Sequence, residues 1–176
     1  MPFTPPRDLV TAPASSFVAE EDVGIRTAAA ILVTPDGRYL MQLRDDNPEI
    51  SFPGFFCLFG GAMEPGENPA MGLRRELLEE LELEVEVDNI SYFSQFVFDA
   101  IYADGTLRQR YFFEVSIEPD MIDSLVLHEG AGMMLMTADG IADSVSRVLP
   151  YDLAILRLHI LLGQARASGT SVQKIS

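Results

Sequence analysis

The stretch from Asn68 to Val87 changes its apolar period midway, and that change limits the folds open to the chain. Asn68-Pro69 is a helix entry: a cap residue, then proline at the first helical position, where no amide is needed. Ala70, Leu73, Leu77 and Leu81 then recur at helical spacing. From Leu81 to Val87 apolar and acidic residues alternate strictly, which is strand period. The helix therefore stops near Leu81 and a strand is expected after it, with Glu84, Glu86 and Asp88 on its wet side. Met71 and Leu78 lie off the main stripe and predict cover on a second side of the helix.

Other elements come from the same rules. Ile25 to Thr34 reads as a buried strand, Pro35-Asp36-Gly37 as a turn, and Arg38 to Arg44 as the returning strand. Phe55 to Phe59 is a short apolar run, and Gly60 to Asn68 a Gly- and Glu-rich loop. Ser91 to Ala100 and Leu107 to Ile117 predict a hairpin around Ala103-Asp104-Gly105. Gly132 to Met136 reads as a short strand and Tyr151 to Leu162 as a closing helix. Hairpins mixed with helices, without repeated crossovers, predict an α+β fold. Residues 1–22 read as an irregular arm, 23–164 as one domain, and 165–176 as a frayed tail.

Composition narrows the function. Apolar residues make up 48% and charged residues 22%, as in a globular protein. The formal net charge of −15 disfavours nucleic acid polymers as partners, and a phosphorylated small molecule would need a cation to bridge acid to acid. No apolar run approaches the roughly 20 residues of a membrane span, and no export signal is evident, so a cytoplasmic location is expected. Cys57 is the only cysteine, which excludes an intramolecular disulfide.

The acids on the predicted helix are the informative cluster. At 100° per residue, Glu79 and Glu80 lie about −60° and +40° from Glu76, so three carboxylates share one face. They repel one another, and Arg75, four residues before Glu79, relieves part of this. A hard divalent cation would relieve more. The alternative is a solvated acidic face.

The preceding loop bears on that choice. Gly61, Glu67, Arg75-Glu76-Leu77, Glu79-Glu80 and Leu83 resemble the Nudix box, G-x5-E-x7-R-E-U-x-E-E-x-G-U, where U is aliphatic. Every specified position matches except the late glycine, here Glu82; a chance match is on the order of one in 10⁸ per starting position. Phe55 to Phe59 resembles the family's apolar lead-in, although Phe59 stands where many members have proline. The resemblance covers residues 24 to about 162.

It implies a Nudix-type α/β/α sandwich with a mixed β-sheet. It also implies a hydrolase that cleaves the pyrophosphate bond of a nucleoside diphosphate linked to another moiety. By position, Glu76, Glu79, Glu80 and the Gly60 carbonyl would hold Mg²⁺ or Mn²⁺, and Arg75 with Glu67 would orient the acids. Glu76 and Glu129 are both candidates for general base. The left-handed turn usually supplied by glycine would either fall to Glu82, at a cost of about 1–2 kcal/mol, or close differently. Many members dimerise, and the N-terminal arm could serve a homodimer.

Other side chains admit two roles. Arg44 and Arg110 could meet substrate phosphates, with a salt bridge as the alternative. Tyr92, Phe93, Phe96 and Phe98 could stack a base, although strand aromatics usually belong to the core. His128 and His159 form no zinc pattern with a single cysteine. A non-catalytic nucleotide-binding or sensor module is the competing reading, and the isomerase branch of the fold, which uses a catalytic cysteine, is a third. No secondary motif selects the substrate.

Overall fold

The computed structural model describes residues 23–100 and 105–167. The expected arm at 1–22 and the end of the expected tail, 168–176, lie outside the described residues. The first strand, β1 (Ile25–Val33), carries Ala28-Ala29-Ala30 at its centre, all fully buried. Its turn closes with the Gly37 N–H donating to the Thr34 carbonyl at 2.8 Å, and β2 (Tyr39–Leu43) returns antiparallel. β2 then pairs at its end with β3 (Phe56–Cys57) and along its length with β6 (Gly132–Met136). β4 (Ile90–Asp99) and β5 (Leu107–Ser116) form the expected hairpin; Ala103-Asp104 at its tip lie outside the described residues. β5 runs parallel to β1, from Arg108 opposite Ile25 to Ser116 opposite Val33. The sheet is therefore mixed, in the order β3-β2-β1-β5-β4, with β6 joined to β2.

Helices cover both faces. Four are described: α1 (Pro69–Leu81), α2 (Pro119–Ile122), α3 (Ala138–Asp143) and α4 (Pro150–Ala167). The period-two pleat of β1 divides the core between them. Ala28, Ala30 and Leu32 meet Leu73, Leu77 and Leu81 of α1, whereas Ala29 and Ile31 meet Ile155 and Leu156 of α4. The result is an α+β sandwich. None of the described helices is long and apolar enough to cross a membrane.

Helix α1 begins and ends as its residues dictate. The Asn68 side chain accepts from the Ala70 N–H at 3.0 Å, and Pro69 occupies the first turn. Glu82 closes the helix in the left-handed conformation (φ 53°, ψ 27°), which costs a non-glycine residue about 1–2 kcal/mol.

Three expectations fail. Residues 83–86 form no strand. Leu83 and Val85 are buried between exposed Glu82, Glu84 and Glu86, so the alternation is real, but no neighbouring strand pairs with the segment, and a short 3₁₀ turn comes next at Val87–Asn89. Alternation records which side is wet, not whether a partner strand exists. Met71 and Leu78 are exposed, at 45% and 47%, because no second layer among the described residues covers the outer side of α1. The closing helix extends beyond Leu162 to Ala167, through residues assigned to the tail; Ala165, Arg166 and Ala167 are good helix formers.

A buried ion pair ties α4 to the sheet. Asp152 accepts from Arg110 Nε at 3.0 Å, from Arg110 Nη2 at 3.3 Å and from the Leu58 N–H at 3.0 Å. Asp152→Ala would strand a buried guanidinium and is expected to cost about 3–5 kcal/mol. The urea midpoint checks this, and an Arg110→Met/Asp152→Leu double variant should recover most of the loss. A single variant as stable as the parent would show that the pair does not hold these elements together.

Candidate active site

Gly60 and Gly61 bring the loop before α1 against β1. The Phe59 and Gly61 carbonyls accept from the Ala30 and Ala28 amides at 2.9 and 3.0 Å, and the Met63 N–H donates to the Arg26 carbonyl at 2.9 Å. Between them Gly60 has φ +123°, and a Cβ there would stand 2.2 Å from the Ala28 carbonyl oxygen. No other residue fits. A Cβ on Gly61 would stand 2.5 Å from Oε2 of Glu76, so bare backbone lies directly under that carboxylate.

The helix presents its acids to this loop. Glu80 is 5% exposed, and its Oε2 accepts from the Gly60 N–H at 2.9 Å. Arg75 organises the remainder. Its Nη1 donates to Glu76 at 2.8 Å and to Glu79 at 3.1 Å, its Nε and Nη2 donate to Glu67 at 3.2 Å each, and its Nη2 also donates to the Ala62 carbonyl at 2.9 Å. Glu67 also accepts from the Glu64 N–H at 2.8 Å. These bonds, led by the one from Arg75, hold the Glu67 carboxyl below its ordinary pKa.

Glu80 and Glu76 are shifted the other way. Burial pushes Glu80 up to about 7; the Gly60 N–H opposes this, while Glu129 and Glu76 add to it. Burial likewise raises Glu76, against the pull of Arg75 and with added repulsion from Glu79 and Glu129. Glu129, in the exposed loop before β6, thus bears on both helix acids. Its backbone carbonyl is held by Gln42 Nε2 at 3.0 Å.

Among the described residues, no three His, Cys, Asp or Glu side chains form a ready-made metal cage. Arg75 occupies Glu76 and Glu79, and the Gly60 N–H occupies Glu80. The donor chemistry nevertheless suits a hard divalent cation. Glu76, Glu79 and Glu80 offer only oxygens, and burial makes two of the three carboxyls, Glu76 and Glu80, resist ionisation.

Two other candidate residues have different surroundings. Arg110 is inside the protein on Asp152, with its guanidinium over the Phe112 and Tyr151 rings, and its charge opposes the rise at Glu80. Arg44 begins the loop after β2 and donates to the Ser51 carbonyl at 3.1 Å. Tyr92 is 59% exposed, Phe93 lies against His159, Phe96 against Phe112, and Phe98 stacks on Tyr151. Phe59 is fully buried. Cys57 is also buried; its thiol donates to Gln42 Oε1, and burial pushes it up to about 12, so it is no nucleophile. A hollow of about 550 Å³ lined by Tyr39, Glu114 and His159 lies on the α4 face, away from the acids.

Sequence reasoning overlooks Gln42, Asp152 and the His128–Glu82 contact. A glutamine inside the apolar run of β2 and an aspartate opening an apolar helix are the available signals.

The pH dependence has a defined sign. The native chain binds the Glu80 proton more tightly than the unfolded chain, whose carboxyl titrates near 4.5. The associated stability is complete below about 4.5 and is lost as pH rises through about 7. With chelator present, urea unfolding should show a decline across that window that Glu80→Gln flattens. Parallel curves for parent and variant would contradict the shift.

Known proteins resemble this chain in sequence and fold. A NUDIX domain family model matches residues 24–136. Nucleoside triphosphatase NudI of Escherichia fergusonii is 40% identical over 88 residues, 49% of this chain and 62% of that protein. The chain thus spans less than two thirds of that relative's length. The MutT protein of Methanosarcina mazei Go1 superposes with TM-score 0.63 at 18% identity, covering 79% of this chain and 94% of that one. A bifunctional NMN adenylyltransferase/ADP ribose pyrophosphatase of Francisella tularensis, solved with AMP and Mn ion, gives TM-score 0.61 at 18% identity, covering 83% of this chain and 43% of that one. At such identities the two structures speak for the fold.

Proposed function

The chain belongs to the NUDIX domain family, and from that premise we propose that it is a Mg²⁺-dependent pyrophosphohydrolase, with Mn²⁺ as a substitute, acting on a nucleoside diphosphate linked to another group. The observation that carries the reading is the acid cluster packed on the Gly60-Gly61 loop, where burial, with added repulsion from Glu129 and Glu76, pushes Glu80 up to about 7. A nucleoside triphosphate, the substrate class in the name of the 40% identical relative, is one such compound.

Glu76, Glu79 and Glu80, with the Gly60 carbonyl, are the residues that would hold the ion. When bound, a divalent cation neutralises the diphosphate and lowers the pKa of a coordinated water. The chain's own groups do the rest. Arg75 keeps Glu67 and Glu76 in place through its bonds on both sides. Glu79, 59% exposed in its side chain, is the acid most able to turn from Arg75 toward a ligand. Glu129, in a solvent-facing loop, would take the water proton. Arg44, at the start of the loop after β2, would offer its guanidinium to substrate phosphate.

A substrate panel of nucleoside triphosphates, nucleotide sugars, dinucleoside polyphosphates and ADP-ribose, with Mg²⁺ and product analysis, tests the activity. Glu79→Gln and Glu80→Gln should each lower kcat by at least about 10²-fold with the circular dichroism spectrum unchanged. Nucleotide binding without product release from any substrate would favour the sensor alternative, and near-normal turnover in either variant would remove that residue from the metal set.

A further inference from the structure

The family's glycine position is filled here by Glu82, and its carboxylate makes a contact that glycine cannot. Glu82 Oε1 lies 2.8 Å from Nε2 of His128. An exposed carboxylate is an acceptor, so Nε2 carries the proton and donates. We propose that Glu82 and His128 form a clamp that positions the loop carrying Glu129 against the acidic face of α1. Both are then positioning residues for proton transfer, an assignment that rests on the hydrolase reading above.

The contact belongs to a larger join. The Val126 N–H donates to the Leu81 carbonyl at 3.1 Å and the His128 N–H to the Glu80 carbonyl at 2.9 Å. These are carbonyls of the last helical turn, which have no partner within the helix. The loop is thus laid along the end of α1, one residue before Glu129.

The far side of Glu129 is fixed as well. Its carbonyl accepts from Gln42 Nε2, whose amide is oriented by the Cys57 thiol donating to Oε1 at 3.0 Å. The Ala131 N–H donates to the Leu43 carbonyl at 2.8 Å. Between them Gly130 has φ +93°, and a Cβ there would stand 2.7 Å from the Leu43 carbonyl oxygen, so only glycine lets the chain pass. On the β2 side the anchoring Gln42 and Cys57 are buried. On the α1 side the anchors are two backbone bonds from exposed residues, and such bonds open readily. The Glu82–His128 contact is the side-chain bond that reinforces that weaker side. Loosening it would let Glu129 drift from the place where its charge bears on Glu76 and Glu80.

The test uses the full chain with Glu82→Gly, Glu82→Gln and His128→Ala, each alone and combined with Glu129→Gln. Glu82→Gly removes the carboxylate while giving the left-handed position its least strained residue, so the fold is retained. Amide exchange at Val126 and His128 should quicken in Glu82→Gly and in His128→Ala. In Glu82→Gln, which keeps an acceptor, it should stay near the parent rate. In those two loosened variants kcat should fall about tenfold with KM within about twofold, since the proton acceptor is displaced while substrate binding is left alone. On the Glu129→Gln background the same substitutions should cost nothing further. Unchanged exchange, unchanged kcat, or a loss that persists in full without Glu129 would each overturn the clamp. A parent chain inactive on every substrate overturns both readings, whereas an active parent matched by its Glu82→Gly variant overturns the clamp alone.

Discussion

Gly60 lies so close to β1 that any side chain on it would collide with the Ala28 carbonyl, and the site is built on that approach. The loop hydrogen-bonds along β1 from Phe59 to Met63, the three alanines leave room on both sheet faces, and α1 starts at once from its Asn68 cap. Leu73, Leu77 and Leu81 fix the helix rotation by burying fully beside Ala28 and Ala30. With that rotation set, Glu76 is directed onto Gly61 and Glu80 onto the Gly60 amide. Packing of an apolar stripe therefore aims the acids, and the glycines make the space into which they are aimed.

Aiming acids inward has an electrostatic consequence. Three helix carboxylates and Glu129 lie close together, and Arg75 is divided among Glu67, Glu76, Glu79 and the Ala62 carbonyl. Glu80 accepts a backbone amide instead. Burial, with repulsion between the acids, raises the Glu80 and Glu76 carboxyls against the pull of Arg110 and Arg75 respectively. A divalent cation bound there would favour the ionised carboxylates and displace their protons.

Local rules are legible in the sequence, and long-range partners are not. Asn68-Pro69 and the spacing of Leu73, Leu77 and Leu81 locate α1 because capping and period act within a few residues. The end at Leu81 is legible for the same reason. The next segment misleads: Leu83 and Val85 alternate with acids, yet strand formation needs a neighbour, and local pattern does not encode one. Met71 and Leu78 mislead in the opposite way, since apolar side chains on α1 need not have anything to cover them. Arg110 reads as either a phosphate ligand or half of a salt bridge, and local pattern does not decide between them because its partner, Asp152, sits far along the chain in α4. The Glu82–His128 contact is hidden for the same reason, although the replacement of glycine by glutamate marks the position as unusual.

The central claim is that the acid cluster binds a divalent cation and releases protons as it does so. Calorimetric titration of Mn²⁺ into the chain near pH 7, repeated in buffers of different ionisation enthalpy, measures both binding and the protons released. The account predicts saturable binding with proton release that Glu80→Gln sharply reduces. Absence of binding, or binding whose proton release is zero or untouched by that substitution, would contradict it.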